Sequence, residues 1–246
     1  ARLQNVAIDR TALAMTPAFG RALANQMREA AKGYANGNAI SGAVLSNSDR
    51  LVEAYVAAYK RSSKLVAPRV LQGGKSLHGR DIIVKADEGG VPVLQYWNRT
   101  VAQWIEENAA MRVTQVNQTT INQLQNIIAS GTEEGLNTLA IQQRIFDSVE
   151  SLSIIRARAI ARTEVHAGSQ ASSLKAAEVI GIDTVKEWNA IEDSRTRPDH
   201  LTADGQQVDL TSSFDIGGSS MAHPGDPSAP AKQVVNCRCV MDYPVM

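Results

Sequence analysis

The sequence changes character at Gly181, and that break constrains the fold more than any other feature of the chain. Before it run long stretches rich in Ala, Leu, Ile and Gln, with apolar residues three or four apart; after it come short alternating segments separated by Gly, Pro and Ser. The first pattern is that of amphipathic helices and the second that of strands joined by turns. Such an order defines an α+β protein, with a helix-rich N-terminal region followed by helices packed on a small C-terminal β-sheet. Aromatic residues make up only 4% of the chain, so the core must be built largely from Ala, Val, Ile and Leu.

From Thr11 to about Lys32 the spacing predicts one helix, or two short ones divided at Pro17, ending near Gly33. The stretch from Tyr34 to Gly42 reads as a connector, and Ser46–Asp49 suits the cap of a helix carrying Leu51, Val52, Tyr55, Val56 and Tyr59. Pro68, Gly73, Gly74, Gly79, Gly89, Gly90 and Pro92 make 68–92 a flexible connector, which divides a helical region (1–92) from a second domain (93–246). Beyond it, helices are expected from about Val101, over Ile121–Ile128 with a stop at Gly131, over Leu139–Val149, and from Ile154 to Ile180. Thr184–Asn189 and Val234–Tyr243 read as strands, the second placing Val235, Cys237, Cys239, Met241 and Tyr243 on one face.

The net charge of zero conceals a split. Residues 1–85 carry 13 basic and 5 acidic side chains, and residues 86–246 carry 12 and 20. The basic excess is densest at Lys60, Arg61, Lys64, Arg69, Lys75, Arg80 and Lys85, a surface suited to DNA or an acidic protein, although a solvated helix face gives the same pattern. No stretch approaches the ~18 consecutive apolar residues of a membrane span, and the charged first thirty residues do not read as a signal peptide. Cys237 and Cys239 on an extended strand would lie about 6.6 Å apart, near the upper limit for a disulfide, so free thiols in a reducing compartment are expected.

Chemistry-bearing residues collect in three patches: Arg162, Glu164 and His166; Glu192 to His200; and His223–Pro227 with Asn236–Cys239. His200, His223, Cys237 and Cys239 are the ligand inventory of a structural zinc, against which stands the reading of two small buried thiols and two hydrogen-bonded histidines. Arg162 and Glu164 are expected to tie the helix to the Asp193-x-Arg195-x-Arg197 loop by opposite charge. Pro224, Gly225 and Asp226 form a turn string that returns the chain toward the cysteines. Nucleotide-binding glycine motifs and the common hydrolase motifs are absent from the sequence, which removes the usual support for those reactions.

The order Arg158–Glu164, Lys186–Trp188, Asp193-x-Arg195-x-Arg-Pro-x-His200, Asp204–Gln206, Phe214, Pro224-Gly-Asp-Pro227 and Asn236-Cys-Arg-Cys239 resembles the phage Mu F-like minor head protein family, over about residues 100–245. The resemblance implies a structural protein of a tailed phage or prophage, made in the host cytoplasm and present in few copies in the virion head near the portal vertex. It would act in head assembly or in DNA packaging and ejection. It implies no catalysis, and its partners would be the portal protein or major capsid protein, with packaged DNA met by the basic N-terminal region. Two competing classes are a DNA-binding module resting on the basic run, and a virion-delivered nucleotidyl- or ADP-ribosyl-transferase using Glu164, Arg195 and His200.

Overall fold

A computed structural model describes residues 2–76, 93–180 and 184–244. Among the described residues five helices come first: α1 (Arg2–Ala35), α2 (Ile40–Ser46), α3 (Asp49–Ser76), α4 (Val93–Glu133) and α5 (Thr138–Ile180). Then follow β1 (Val185–Asn189), α6 (Pro198–Thr202), β2 (Gln207–Asp209), β3 (Phe214–Ile216), β4 (Ser219–Met221), α7 (Ala231–Val234) and β5 (Val240–Asp242). The α+β order expected from the break at Gly181 is the observed one.

The helices are longer than their sequence signals. α1 is a single helix that contains Pro17. A proline removes only one backbone donor, and the flanking Ala, Leu and Met residues favour the helix. The connector expected from Tyr34 to Gly42 gives way to α2 at Ile40. α3 runs through Pro68, Gly73 and Gly74 to Ser76, so helix occupies the first part of the expected flexible segment; the remainder, with Arg80 and Lys85, lies outside the described residues. α4 passes Gly131 and ends at Glu133. α5 joins the two helices expected on either side of Ser151 and Ser153, whose hydroxyls bond back to the carbonyls of Ser148 and Glu150 instead of competing with the helix.

The chain forms two compact units, and residues 1–92 and 93–246 are each divided between them. An all-helical unit comprises residues 14–57 and 107–161. Its core packs Met27, Ala31 and Val44 with Leu124, Ile141, Ile145 and Val149. Phe19 meets Tyr55 edge-on at 5.1 Å between ring centroids. Gln26 Nε2 donates to Asn117 Oδ1 at 2.8 Å, and Asn117 Nδ2 donates to Ser48 Oγ at 2.8 Å.

A mixed unit comprises residues 1–13, 58–106 and 162–246. Its sheet has the order β2-β1-β5, antiparallel throughout, with Lys186 opposite Val208 and Trp188 opposite Met241. β3 and β4 form a separate hairpin in which Phe214 faces Met221. Alternation along β1 turns Lys186 and Trp188 inward, and both are fully buried. Trp188, Phe214, Ile216, Met221, Val234 and Met241 form the core with both cysteines. The Lys186 ammonium donates to the Ala222 carbonyl at 2.8 Å and lies 5.2 Å from the Phe214 ring centroid. Burial lowers its pKa to about 8.

Candidate metal centre

Residues 234–243 do not form the single strand that their alternation suggests. α7 ends at Val234, Asn236 takes a left-handed backbone with φ of 57°, and pairing starts only at Val240. Asparagine tolerates this conformation better than most residues. The Cys237 amide then donates to the Val234 carbonyl at 3.1 Å, and both thiols point inward from an irregular segment while Val235 is exposed.

α6 brings His200 to them. The His200 Nδ1 atom lies 3.3 Å from Cys239 Sγ and 3.7 Å from Cys237 Sγ, and all three ligand atoms lie within 4.8 Å of one another. Each of the three residues is 1–2% exposed. The thiols form a coupled pair: the contact between them favours the thiolate at Cys237 and pushes the Cys239 thiol up. Both cysteines are free, and no ring partner but His200 joins the group among the described residues.

His223, expected as a fourth ligand, is turned elsewhere. Its Nδ1 atom pairs with the Pro224 carbonyl at 3.1 Å, and its ring sits 6.3 Å from that of Trp104. The physical reason is the turn that begins at His223: the Asp226 amide donates to the His223 carbonyl at 3.1 Å, and Gly225 sits at φ 78°. A Cβ on Gly225 would come within 2.9 Å of His166 Nδ1 and 3.2 Å of the Ala167 backbone, so this turn packs directly on α5. Asp226 closes it, accepting from the Ala222 and Ser228 amides at 2.7 and 2.9 Å. Burial lowers the His223 pKa.

α5 carries a row of polar residues of which the sequence patches single out only His166. Thr163 Oγ1 accepts from the Asn236 amide at 3.0 Å, His166 Nε2 donates to the Cys239 carbonyl at 2.7 Å, and Gln170 Oε1 accepts from the Met241 amide at 3.1 Å. Ser173 pairs with the Tyr243 hydroxyl at 3.0 Å. The spacing of three, four and three places these residues on one helix face, a signal that was present in the sequence. The first three satisfy backbone groups of the segment that carries the cysteines, and Ser173 ties the Tyr243 side chain beyond it. His166 is held neutral, its pKa lowered to about 4 by burial.

The expected ties from Arg162 and Glu164 to the 193–197 loop are replaced by others. Residues two apart on a helix face different ways. Glu164 is buried and accepts from the Tyr59 hydroxyl at 2.5 Å, whereas Arg162 is exposed, 3.7 Å from Asp9. The loop is tied to Arg238, which donates to both Asp193 oxygens at 2.7 and 2.5 Å. That bidentate pair holds the Asp193 carboxyl well below its usual range. Arg195, 72% exposed, lies 3.4 Å from the same carboxylate, and Arg197 donates to the Val235 carbonyl at 2.5 Å. The Glu164, Arg195 and His200 of the transferase reading thus have separate partners: Tyr59, Asp193 and the cysteine pair. Of the basic run, Lys60, Arg61 and Lys64 are exposed on α3; the side chains of Arg69 and Lys75 lie outside the described residues.

These features define a class: an α+β domain whose irregular carboxy-terminal segments are fastened to one long helix by buried polar side chains. Residues 122–242 match the family model described as Phage Mu protein F like protein. The Minor head protein GP7 of Bacillus phage SPP1 is 31% identical over 209 residues, 81% of this chain and 62% of that protein. An NAD(+)–arginine ADP-ribosyltransferase, EFV, of Enterococcus faecalis is 35% identical over 117 residues, 46% of this chain and 24% of that protein. An uncharacterized protein of Bacillus subtilis, YqbB, is 26% identical over 165 residues, 65% of this chain and 53% of that protein. The chain therefore spans less than two thirds of each of these relatives. No solved structure matches it. No described helix is long and apolar enough to cross a membrane.

Proposed function

We propose that this chain is a structural minor head protein of a tailed bacteriophage or prophage, built into the virion head at or near the portal vertex and serving head assembly or the packaging and ejection of DNA. The observation that carries this reading is the similarity to the SPP1 minor head protein, which extends over 209 residues and so reaches beyond the 122–242 family segment. The partners are the portal protein or the major capsid protein, with Lys60, Arg61 and Lys64 offering an exposed cationic face to an acidic protein surface or to packaged DNA. The role is not catalytic. Glu164, Asp193 and Asp226, three carboxylates of the mixed unit, are engaged with Tyr59, Arg238 and two backbone amides respectively. The similarity to the ADP-ribosyltransferase covers 24% of that protein and does not bring its activity to this chain.

Mass spectrometry and cryo-electron microscopy of particles from an induced prophage test the reading. The chain is expected in purified heads, and a variant carrying Lys60→Glu and Lys64→Glu, two exposed positions, is expected to be depleted from them. Absence of the full chain from purified particles would overturn the proposal. So would NAD+ turnover by the purified chain that disappears in a folded Glu164→Gln variant.

A further inference from the structure

We propose that His200, Cys237 and Cys239 bind a zinc ion, with the chain supplying three ligands: the His200 Nδ1 atom and two thiolates. This inference concerns the isolated chain and stands or falls independently of any role in a phage head. Zinc bound tetrahedrally, with bonds of about 2.0–2.1 Å to nitrogen and 2.3 Å to sulfur, places neighbouring nitrogen and sulfur ligands roughly 3.5 Å apart. The observed separations of 3.3 and 3.7 Å from Nδ1 to the two sulfur atoms bracket that value.

The hydrogen bonds around His200 fix the tautomer that a metal requires. Gln233 Nε2 donates to Asp199 Oδ2 at 2.7 Å and to the Ile216 carbonyl at 3.3 Å, so the amide nitrogen faces two acceptors and its orientation is determined. Gln233 Oε1, which can only accept, lies 3.1 Å from His200 Nε2. That ring nitrogen must therefore carry the proton, leaving the Nδ1 lone pair directed at the thiols. An outer partner that orients the ligand imidazole in this way is a regular companion of zinc sites. Gln233 is itself buried, 1% exposed.

The location also suits a structural ion. α6 has five residues and α7 has four, and the cysteines lie between α7 and the three-residue β5. A metal bound to both segments would join elements too short to hold one another by buried area alone. Binding releases one proton from each thiol to solvent and leaves the imidazole neutral. With His223 held by Pro224, the described residues supply three ligands to the ion.

The test uses the full chain expressed with added zinc and freed of loose metal by gel filtration. Elemental analysis should find about one zinc per chain. His200→Ala, Cys237→Ser and Cys239→Ser should each lose it, and His223→Ala should keep it. Gln233→Ala should weaken zinc binding by about 10–100-fold, read by chelator competition, as expected for an outer partner of a ligand histidine. Cobalt substituted into the wild-type protein should show sulfur-to-metal charge transfer, a reading that does not depend on any variant folding. Substoichiometric zinc in the wild type, a cobalt spectrum lacking that band, a disulfide between the cysteines, or equal metal loss in His223→Ala and His200→Ala would overturn the proposal.

Discussion

In the all-helical unit, Leu124, Ile141 and Ile145 pack with Met27 and Val149, helix backbones bond within themselves, and buried amides such as Gln26 and Asn117 bond to each other. In the mixed unit, Thr163, His166 and Gln170 are buried on a helix that needs nothing from them, and they bond to the backbone of residues 236–241. The contrast follows from accounting for buried N–H and C=O groups. Regular helices satisfy their own; a segment that is neither helix nor strand must borrow side chains. Core volume should therefore dominate stability in one unit, and buried donors and acceptors should dominate in the other.

The largest expected effect sharpens the first half of that contrast. Ile145→Ala, at a position with no exposure, should cost about 2–5 kcal/mol in urea unfolding, while Ile145→Leu should cost less than about 1.5 kcal/mol. The second half is exposed to a smaller substitution. Gln170→Leu keeps the volume but strands the Met241 amide, and should cost about 1–3 kcal/mol. A neutral result there would mean that the polar row on α5 is not what fastens the segment.

The sequence made the first unit's logic easier to read than the second's. Helical periodicity and the break at Gly181 are local signals, and the alternation over Thr184–Asn189 marks β1, although the inward turn of Lys186 is known only from the fold. Helix boundaries differ from their signals at Pro68 and Gly131 because both are tolerated where neighbours favour the helix, while at Pro17 the one-helix alternative holds. In the candidate site, the pairing of His200 with both cysteines was legible from residue type. The exclusion of His223 was not, because it depends on where a four-residue turn aims a ring. Tyr59 as the partner of Glu164 was equally hidden, since residues 105 positions apart meet only through the fold.

A buried cation makes the stability of the mixed unit depend on pH. Lys186 is a cation buried in the mixed unit, with its folded pKa at about 8 against an ordinary value of 10.5. Below pH 8 both folded and unfolded chains hold the proton, and the cost of burying the charge is present in full. Between the two values the unfolded chain binds more protons, so stability should rise with pH across that window. Lys186→Met should flatten the rise, as measured by urea unfolding at several pH values; an unchanged slope would place its origin elsewhere.

The smallest effect belongs to Asp193, whose carboxyl is held below its ordinary range by Arg238. Its stabilisation should be complete above pH 4 and fade as the solution is made more acidic, with Asp193→Asn showing a shallower acid limb. Because the carboxylate is one-third exposed, added salt should shrink the difference.

The β3–β4 hairpin reaches further than its three-residue strands suggest. At its tip, a methyl group on Gly217 would fall 2.4 Å from Asp199 Oδ2 and 3.0 Å from the Asp199 Cβ. Asp199 anchors Gln233, and Gln233 aims the His200 ring. A Gly217→Ala change would thus act as a wedge against Asp199, the far end of a three-member linkage, and shift the imidazole relative to the sulfur atoms without contacting either of them.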